Sequence, residues 1–182
     1  MITEGGTVLD AGILRVRNNV ESYQIDPRIN EWFRGNGHTK DATNEPVRET
    51  NIVINEIMSD PPSDERNGEF IELFNRGNEA VDLSGWDFVE GIDFTFAEGT
   101  IMAPGSYLVV AANKDWINEN YTGVQVIGNF RNNLANEGEL LRLEDQSGNL
   151  ADEVNYKVGG DWPHWTNGDG SSLELIHPFV DN

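Results

Sequence analysis

Apolar and polar residues alternate over short runs from Asn51 to the C-terminus. A period of two residues is that of a β-strand with one face against a core. Segments rich in Gly, Pro, Asn, Asp and Ser separate the runs and predict turns. Short strands at this spacing are typical of an antiparallel sandwich or barrel, and one interruption, NKDWINENY, predicts a turn or two of helix. Nine strand segments are predicted: NIVINEIMS, EFIELFN, AVDLSGWDFV, DFTFAEGT, SYLVVAAN, VQVIGNF, ELLRLED, LADEVNY and SSLELIHP.

The first 50 residues have a different pattern. Asp26 and Pro27 match the start of a helix, Gly35 matches its end, and apolar residues lie between them at helical spacing: Ile29, Trp32 and Phe33. A polar, irregular segment follows, which is typical of a linker. We therefore predict a short helical or irregular N-terminal extension, or the end of a preceding domain with a linker, over residues 1–50, and one domain over residues 51–182.

The charge balance limits the partners. The 182 residues include 32 acidic and 12 basic ones, and the formal net charge is −20. A field of this sign repels a phosphate backbone, so we expect no nucleic-acid partner. The same excess suits a solvated extracellular surface, a halotolerant protein or a cation-binding protein, and charge alone does not separate these.

The chain contains no cysteine, which excludes disulfides, thiolate nucleophiles and cysteine-based metal sites. No apolar run approaches the roughly 20 residues of a membrane span, so no membrane insertion is expected. The first residues, MITEGGTVLDAG, lack the pattern of an export signal. For an exported protein, the signal would lie outside this sequence.

The strand segments also resemble a known family. The stretch INEIMSDPPSDERNGEFIELFNRGNEAVDLSGWDF, followed by FTFAEGTIMAPGSYLVVAAN, resembles the lamin tail domain. The later segments GNFRNNLANEGELLRLEDQSGNLADEVNY, DWP and DGSSLELIHP are similar to the later strands of its bacterial members. The resemblance covers about residues 51–182 and implies an all-β, immunoglobulin-like antiparallel β-sandwich.

The resemblance also implies a role. The family is a non-catalytic module of nuclear lamins and of many bacterial surface or secreted multidomain proteins. We therefore expect an interaction or architectural module of a larger, secreted or surface bacterial protein, at an extracellular or cell-surface location. Its partner would be a protein or a cell-surface polymer. The alternatives are a carbohydrate- or calcium-dependent adhesion module and an accessory domain of an exported hydrolase.

Two motifs support the sandwich on physical grounds. In VDLSGWDF, a turn at Ser84 and Gly85 leads to Trp86, whose large ring can fill the gap between two sheets. In APGSYLVVA, Pro104 and Gly105 occupy central turn positions before a continuous apolar run. Such a run predicts a central strand.

Catalysis requires functional groups that converge, and the sequence offers few. The three histidines, His38, His164 and His177, are scattered along the chain. The serines lack a nucleophile-elbow context, and no phosphate-binding glycine pattern follows a strand. We expect no enzyme activity, no catalytic residue and no cofactor.

The loop TNGDGSS places Asn167, Asp169 and Ser171 at alternate positions, as at the start of a calcium loop. Pro178 stands where such a loop needs a bidentate glutamate, so a glycine-rich turn is the preferred interpretation. Calcium bound in another geometry remains the alternative, because the segment DPPSDERNGE also supplies carboxylates: Asp60, Asp64 and Glu69.

The segment DWPHW contains three residues that suit a stacking surface for sugar rings, Trp162, His164 and Trp165. Aromatic residues beside a proline at the rim of a sandwich more often close the core. We keep these three residues as a candidate ligand platform, with core closure as the preferred interpretation.

Three carboxylates fall within apolar rows of predicted strands. Glu56 alternates with Ile54 and Met58, and Glu72 lies between Phe70 and Phe74 in its row. Asp152 alternates with apolar residues of its own strand: Leu150, Val154 and Tyr156. The three carboxylates would form a shared site if they converge. We favour structural roles for Glu56, Glu72 and Asp152, with each carboxylate accepting hydrogen bonds from backbone N–H groups.

Overall fold

The structure is a computed structural model. It describes residues 51–62, 66–159, 162 and 170–177, together with the backbone of four short strands nearer the N-terminus, at residues 3–4, 7–8, 21–26 and 31–36. The chain divides into two compact units, Met1–Arg48 and Glu49–Asn182. None of the helices in the described part of the chain is long and apolar enough to cross a membrane.

The described backbone of the first unit forms two antiparallel strand pairs. Strand β1 (Thr3–Glu4) pairs with β2 (Thr7–Val8), and β3 (Glu21–Asp26) pairs with β4 (Glu31–Asn36). The helix predicted across this region is wrong for the residues that β4 contains, Trp32 and Phe33 among them. Asp26, the predicted N-cap, is instead the last residue of β3, since a following proline is compatible with the end of a strand as well as with the start of a helix.

The described residues of the second unit form eleven strands and one short helix. All nine predicted segments contain a strand, and the predicted helix in NKDWINENY is confirmed. In chain order the elements are β5 (Ile52–Met58), β6 (Phe70–Asn75), β7 (Val81–Asp82), β8 (Asp87–Glu90), β9 (Phe94–Thr95), β10 (Ile101–Met102), β11 (Tyr107–Ala111), α1 (Lys114–Asn120), β12 (Val126–Gly128), β13 (Leu140–Glu144), β14 (Leu150–Asn155) and β15 (Leu173–Glu174).

These strands form two main sheets. The five-stranded sheet has the order β12-β11-β6-β5-β15, and the four-stranded sheet has the order β14-β13-β8-β9. All pairs are antiparallel except β11 with β12, and β7 pairs separately with β10. Both sheets contribute to one hydrophobic cluster, so the predicted all-β antiparallel sandwich is confirmed. Its fully buried members include Ile71, Leu73, Leu108, Val110, Leu141 and Leu143.

The two turn motifs have the conformations that their sequences predict. The Trp86 N–H donates to the Leu83 carbonyl at 3.0 Å, and Gly85 between them has φ +71°. The Trp86 side chain is buried in the main cluster. Gly105 adopts φ +66° before β11, which lies between β12 and β6 and is therefore an interior strand.

A β-bulge in β5 determines which of its residues face the core. The register with β6 shifts between Ile54 and Glu56, so Asn55 is the extra residue. The core face consequently passes from Ile54 to Ile57. The prediction that Glu56 shares a face with Ile54 is wrong, because the bulge interrupts the alternation on which it rested.

Helix α1 covers one end of the sheet surface that faces away from the core. Its Ile117 packs with Val109 and Ala111 of β11 in a second apolar cluster. The helix begins at an N-cap, Asn113, whose side chain accepts a hydrogen bond from the Trp116 N–H at 3.1 Å. This surface of the five-stranded sheet, opposite the main cluster, is named the outer face below.

Candidate functional site

The outer face carries an aromatic pair beyond the end that α1 covers, in which Tyr107 is exposed and Phe74 is half-buried. Phe74 of β6 and Tyr107 of β11 are cross-strand partners. Their rings stack with centroids 4.6 Å apart and planes at 28°. Tyr107 is 49% exposed, and Val53 of β5 continues the row on the other side of Phe74. We call Phe74 and Tyr107 the aromatic pair.

Next to the aromatic pair, three glutamates lie side by side on neighbouring strands. Glu56 of β5 is the cross-strand partner of both Glu72 of β6 and Glu174 of β15. We call these three residues the acidic row. Like charges directly opposite each other on a sheet destabilise it. The row is therefore an electrostatically unfavourable arrangement within the isolated domain.

Glu72 shows the effect of this arrangement. Its Oε1 accepts a hydrogen bond from the Asn55 side chain at 2.9 Å, which favours the ionised form. Burial nevertheless raises the pKa of Glu72 above its ordinary value, and the neighbouring charges of Glu56 and Glu174 raise it further. The bulge produces this contact, since it places Asn55 and Glu56 opposite the same residue of β6.

Asp152 lies elsewhere, on β14 of the other sheet. Its Oδ2 accepts a hydrogen bond from the Ile54 N–H at 2.7 Å, and its Oδ1 accepts one from the Glu153 N–H at 3.0 Å. A register shift in the β13–β14 pair leaves Asp152 opposite Leu143, a core residue, and Leu150 opposite Glu144. The structure thus brings Glu56 and Glu72 together but directs Asp152 to a backbone group of β5.

A second polar cluster lies between β6 and the segment that precedes β13. Glu69 is only 2% exposed, and its Oε2 accepts a hydrogen bond from the Leu134 N–H at 3.1 Å. Burial raises the pKa of Glu69 from 4.5 to about 7. Arg66 donates to the backbone carbonyl of Asn132 and to the side chain of Asn133 in the same segment.

Tyr156, the residue after the end of β14, also belongs to this cluster. The ring is fully buried, and its hydroxyl donates to the Ala135 carbonyl at 2.8 Å and lies 3.2 Å from Oε1 of Glu139. That Oε1 also accepts a hydrogen bond from the Ala135 N–H at 2.8 Å. Burial raises the pKa of the Tyr156 hydroxyl, with the charge of Glu139 as the next cause. Glu69, Glu139 and Tyr156 thus hold the backbone of the segment before β13 in place, which is a structural role.

The sequence patterns identified this second cluster only in part. Tyr156 was expected on the core side of its strand, and its ring is there. The sequence indicates Glu69 only as a calcium candidate, because a carboxylate just before a strand carries no sequence signal of burial. Its role depends on Leu134, which is 65 residues away in the chain.

The remaining candidates have separate positions. Trp162 packs against the main hydrophobic cluster, whereas His164 and Trp165 lie outside the described residues. Asp60 and Glu69 are buried, and Asp64, Asn167 and Asp169 are also outside the described residues. Among the residues that are described, no group of three or more acidic or histidine side chains is placed to hold a metal ion.

The sequence matches the model of a known family. The sequence model of the family described as Lamin Tail Domain matches residues 46–158, which is more than half of the chain. This match confirms the resemblance that the strand motifs indicate. No curated protein matches the chain significantly.

Proposed function

The chain belongs to the lamin tail domain family, and from this we propose that it is an interaction module with no catalytic activity of its own. The family fold is immunoglobulin-like and non-catalytic. We further propose that the module belongs to a larger bacterial protein, exported or attached to the cell surface, and that it contacts a protein partner there.

The proposed interaction role rests on one observation, the aromatic pair on the outer face. The Tyr107 ring is held in place by its stack on Phe74, yet about half of its surface is open to solvent. A rigid, partly exposed tyrosine gives a large contact area at a low cost in conformational entropy, which is why tyrosine is enriched in binding surfaces. By contrast, the carboxylates Glu69, Glu139 and Asp152 are already bound to backbone N–H groups.

The proposed location is compatible with the charge, because a net charge of −20 suits a solvated extracellular surface. Trp162 packs against the core, which favours core closure over an open sugar platform at that residue. These observations favour a protein partner over a carbohydrate one.

The test is retention of the purified, fluorescently labelled chain on an immobilised bacterial envelope fraction. We expect retention that disappears after protease treatment of the fraction and that survives both periodate oxidation of its sugars and addition of a calcium chelator. Loss after periodate would favour carbohydrate adhesion, and loss with the chelator would favour calcium-dependent adhesion. Absence of retention on the untreated fraction would contradict the proposed role.

A further inference from the structure

We propose that the outer face of the five-stranded sheet docks an extended, arginine-rich segment of a partner protein, with one guanidinium stacked on the aromatic pair and neighbouring cations bound to the acidic row. This inference rests on the proposed interaction role and specifies the chemistry of the partner. The two parts of the surface are adjacent, since Glu72 and Phe74 occupy alternate positions of β6.

The spacing of the surface suits an extended segment. Alternate residues of a strand are roughly 7 Å apart, so one side chain of a bound segment can reach the aromatic pair while the next reaches Glu72. Neighbouring strands are about 4.8 Å apart, and the acidic row, on three adjacent strands, therefore extends over roughly 10 Å. A neighbouring cation of such a segment can therefore lie within reach of more than one carboxylate of the row.

The charged residues in the strands of this sheet are all acidic. None of the five strands of this sheet contains a lysine or an arginine. Arg76 follows β6 one residue after its end, on the far side of Phe74 from Glu72. A cation over the acidic row would relieve the repulsion among Glu56, Glu72 and Glu174, which no cationic residue of the five strands offsets.

Arginine fits this surface better than lysine. Its planar guanidinium stacks on an aromatic face and also forms paired hydrogen bonds with a carboxylate. Helix α1 covers Val109 and Ala111 at one end of the outer face, and the half-exposed Tyr107 lies beyond that cover. The docked segment would therefore contact the aromatic pair at the Tyr107 end and the acidic row on β6, β5 and β15, beside the part of β11 that α1 covers.

The experiment measures binding of the full chain to a fluorescent eight-residue peptide of alternating Arg and Ser, at an ionic strength of 0.15 M. The face variants are Tyr107→Ser and the double variant Glu56→Gln/Glu174→Gln. The matched controls are Tyr121→Ser, which removes another exposed tyrosine, and Glu98→Gln/Glu119→Gln, which removes the same charge from two exposed positions outside the outer face. Thermal melting of every variant checks that it is folded.

We expect each face variant to weaken binding by about fivefold and each control to change it by less than about twofold. The peptide with citrulline in place of arginine should bind at least about tenfold more weakly. Equal losses in face variants and controls would show that the peptide senses only the overall charge, which would overturn the inference. Unchanged binding in the face variants would also overturn it.

A second measurement uses wild-type protein and therefore tests the proposal even if a face variant does not fold. A photoreactive group on the arginine peptide should cross-link wild-type protein within the strands that carry the surface, β5, β6, β11 and β15, and cross-links confined to other elements would overturn the proposal. The envelope retention experiment distinguishes failure of the arginine-rich segment from failure of the interaction role. Protease-sensitive retention that the face variants leave unchanged would reject the arginine-rich segment while the interaction role stands.

Discussion

The carboxylate of Asp152, on the four-stranded sheet, accepts a hydrogen bond from the backbone N–H of Ile54, on the five-stranded sheet, at 2.7 Å. Ile54 lies just before the bulge of β5, and β15 pairs with β5 only beyond it, at Glu56 and Ile57. Asp152 thus accepts a hydrogen bond from β5 at a position where β5 is not paired with β15. This hydrogen bond joins the two sheets. An ionised acceptor makes a strong bond to a backbone N–H.

We expect Asp152→Asn to destabilise the protein by about 1 to 3 kcal/mol, because the amide has one acceptor oxygen for the N–H groups of Ile54 and Glu153 and carries no charge. Urea unfolding measures the change. Glu98→Gln, at an exposed position, is the control and should change stability by less than about 0.5 kcal/mol. Unchanged or increased stability of Asp152→Asn would refute the structural role.

Glu69 predicts a specific pH dependence. Its pKa is raised from 4.5 to about 7 in the folded state, so the folded protein holds this proton more tightly than the unfolded chain does. The resulting stabilisation is fully present below about pH 4.5 and is lost as the pH rises to about 7. Glutamine imitates the protonated group, so Glu69→Gln should match wild type near pH 4.5.

At pH 7.5 the same variant should be more stable than wild type, by up to about 3 kcal/mol. The measurement is urea unfolding of both proteins across this pH range, because the difference between them cancels the titration of shared carboxylates. Two parallel stability curves would show that Glu69 titrates in its ordinary range when folded.

We expect Tyr156→Phe to cost about 1 to 2 kcal/mol in the free energy of unfolding. The variant keeps the buried ring but leaves the Ala135 carbonyl and the Glu139 carboxylate without the hydroxyl donor. Tyr107→Phe removes a hydroxyl from a half-exposed ring and serves as the control in the same denaturant titration. A cost no larger than that of the control would mean that the hydroxyl contributes nothing to stability.

A chain that starts at Glu49 should fold by itself. The unit Glu49–Asn182 contains the main hydrophobic cluster and both large sheets. We expect a single cooperative thermal transition by circular dichroism, as for most single domains of this size. Aggregation or a broad melt of the truncated chain would show that residues 1–48 contribute to the stability of this unit.

Calcium should have little effect on stability. No described group of three or more carboxylates is placed to hold a metal ion. Binding at 100 times the dissociation constant would add about 2.7 kcal/mol, which corresponds to a melting temperature several degrees higher. We expect no such increase in millimolar calcium. A rise that a chelator reverses would support the calcium-dependent alternative and direct attention to Asp64 and Asp169.

The sequence by itself determined the local elements of the second unit. Strand alternation, Gly105 and Gly85 in their turns, and the apolar run of β11 are properties of neighbouring residues, and these neighbours interact in every compact state of the chain. For the same reason the family could be identified from the strand motifs. The prediction of an N-terminal helix is wrong because a proline suits both the start of a helix and the end of a strand, and local spacing does not distinguish these two structures.

The tertiary structure decided where the carboxylates act. The bulge at Asn55 moved Glu56 from the predicted core row to the outer face beside Glu72, and a bulge exists only relative to a partner strand. Glu69 is buried by a segment 65 residues away, and Asp152 binds a donor 98 residues away. Sequence spacing contains no information about contacts over such separations, since they follow from how the two sheets pack.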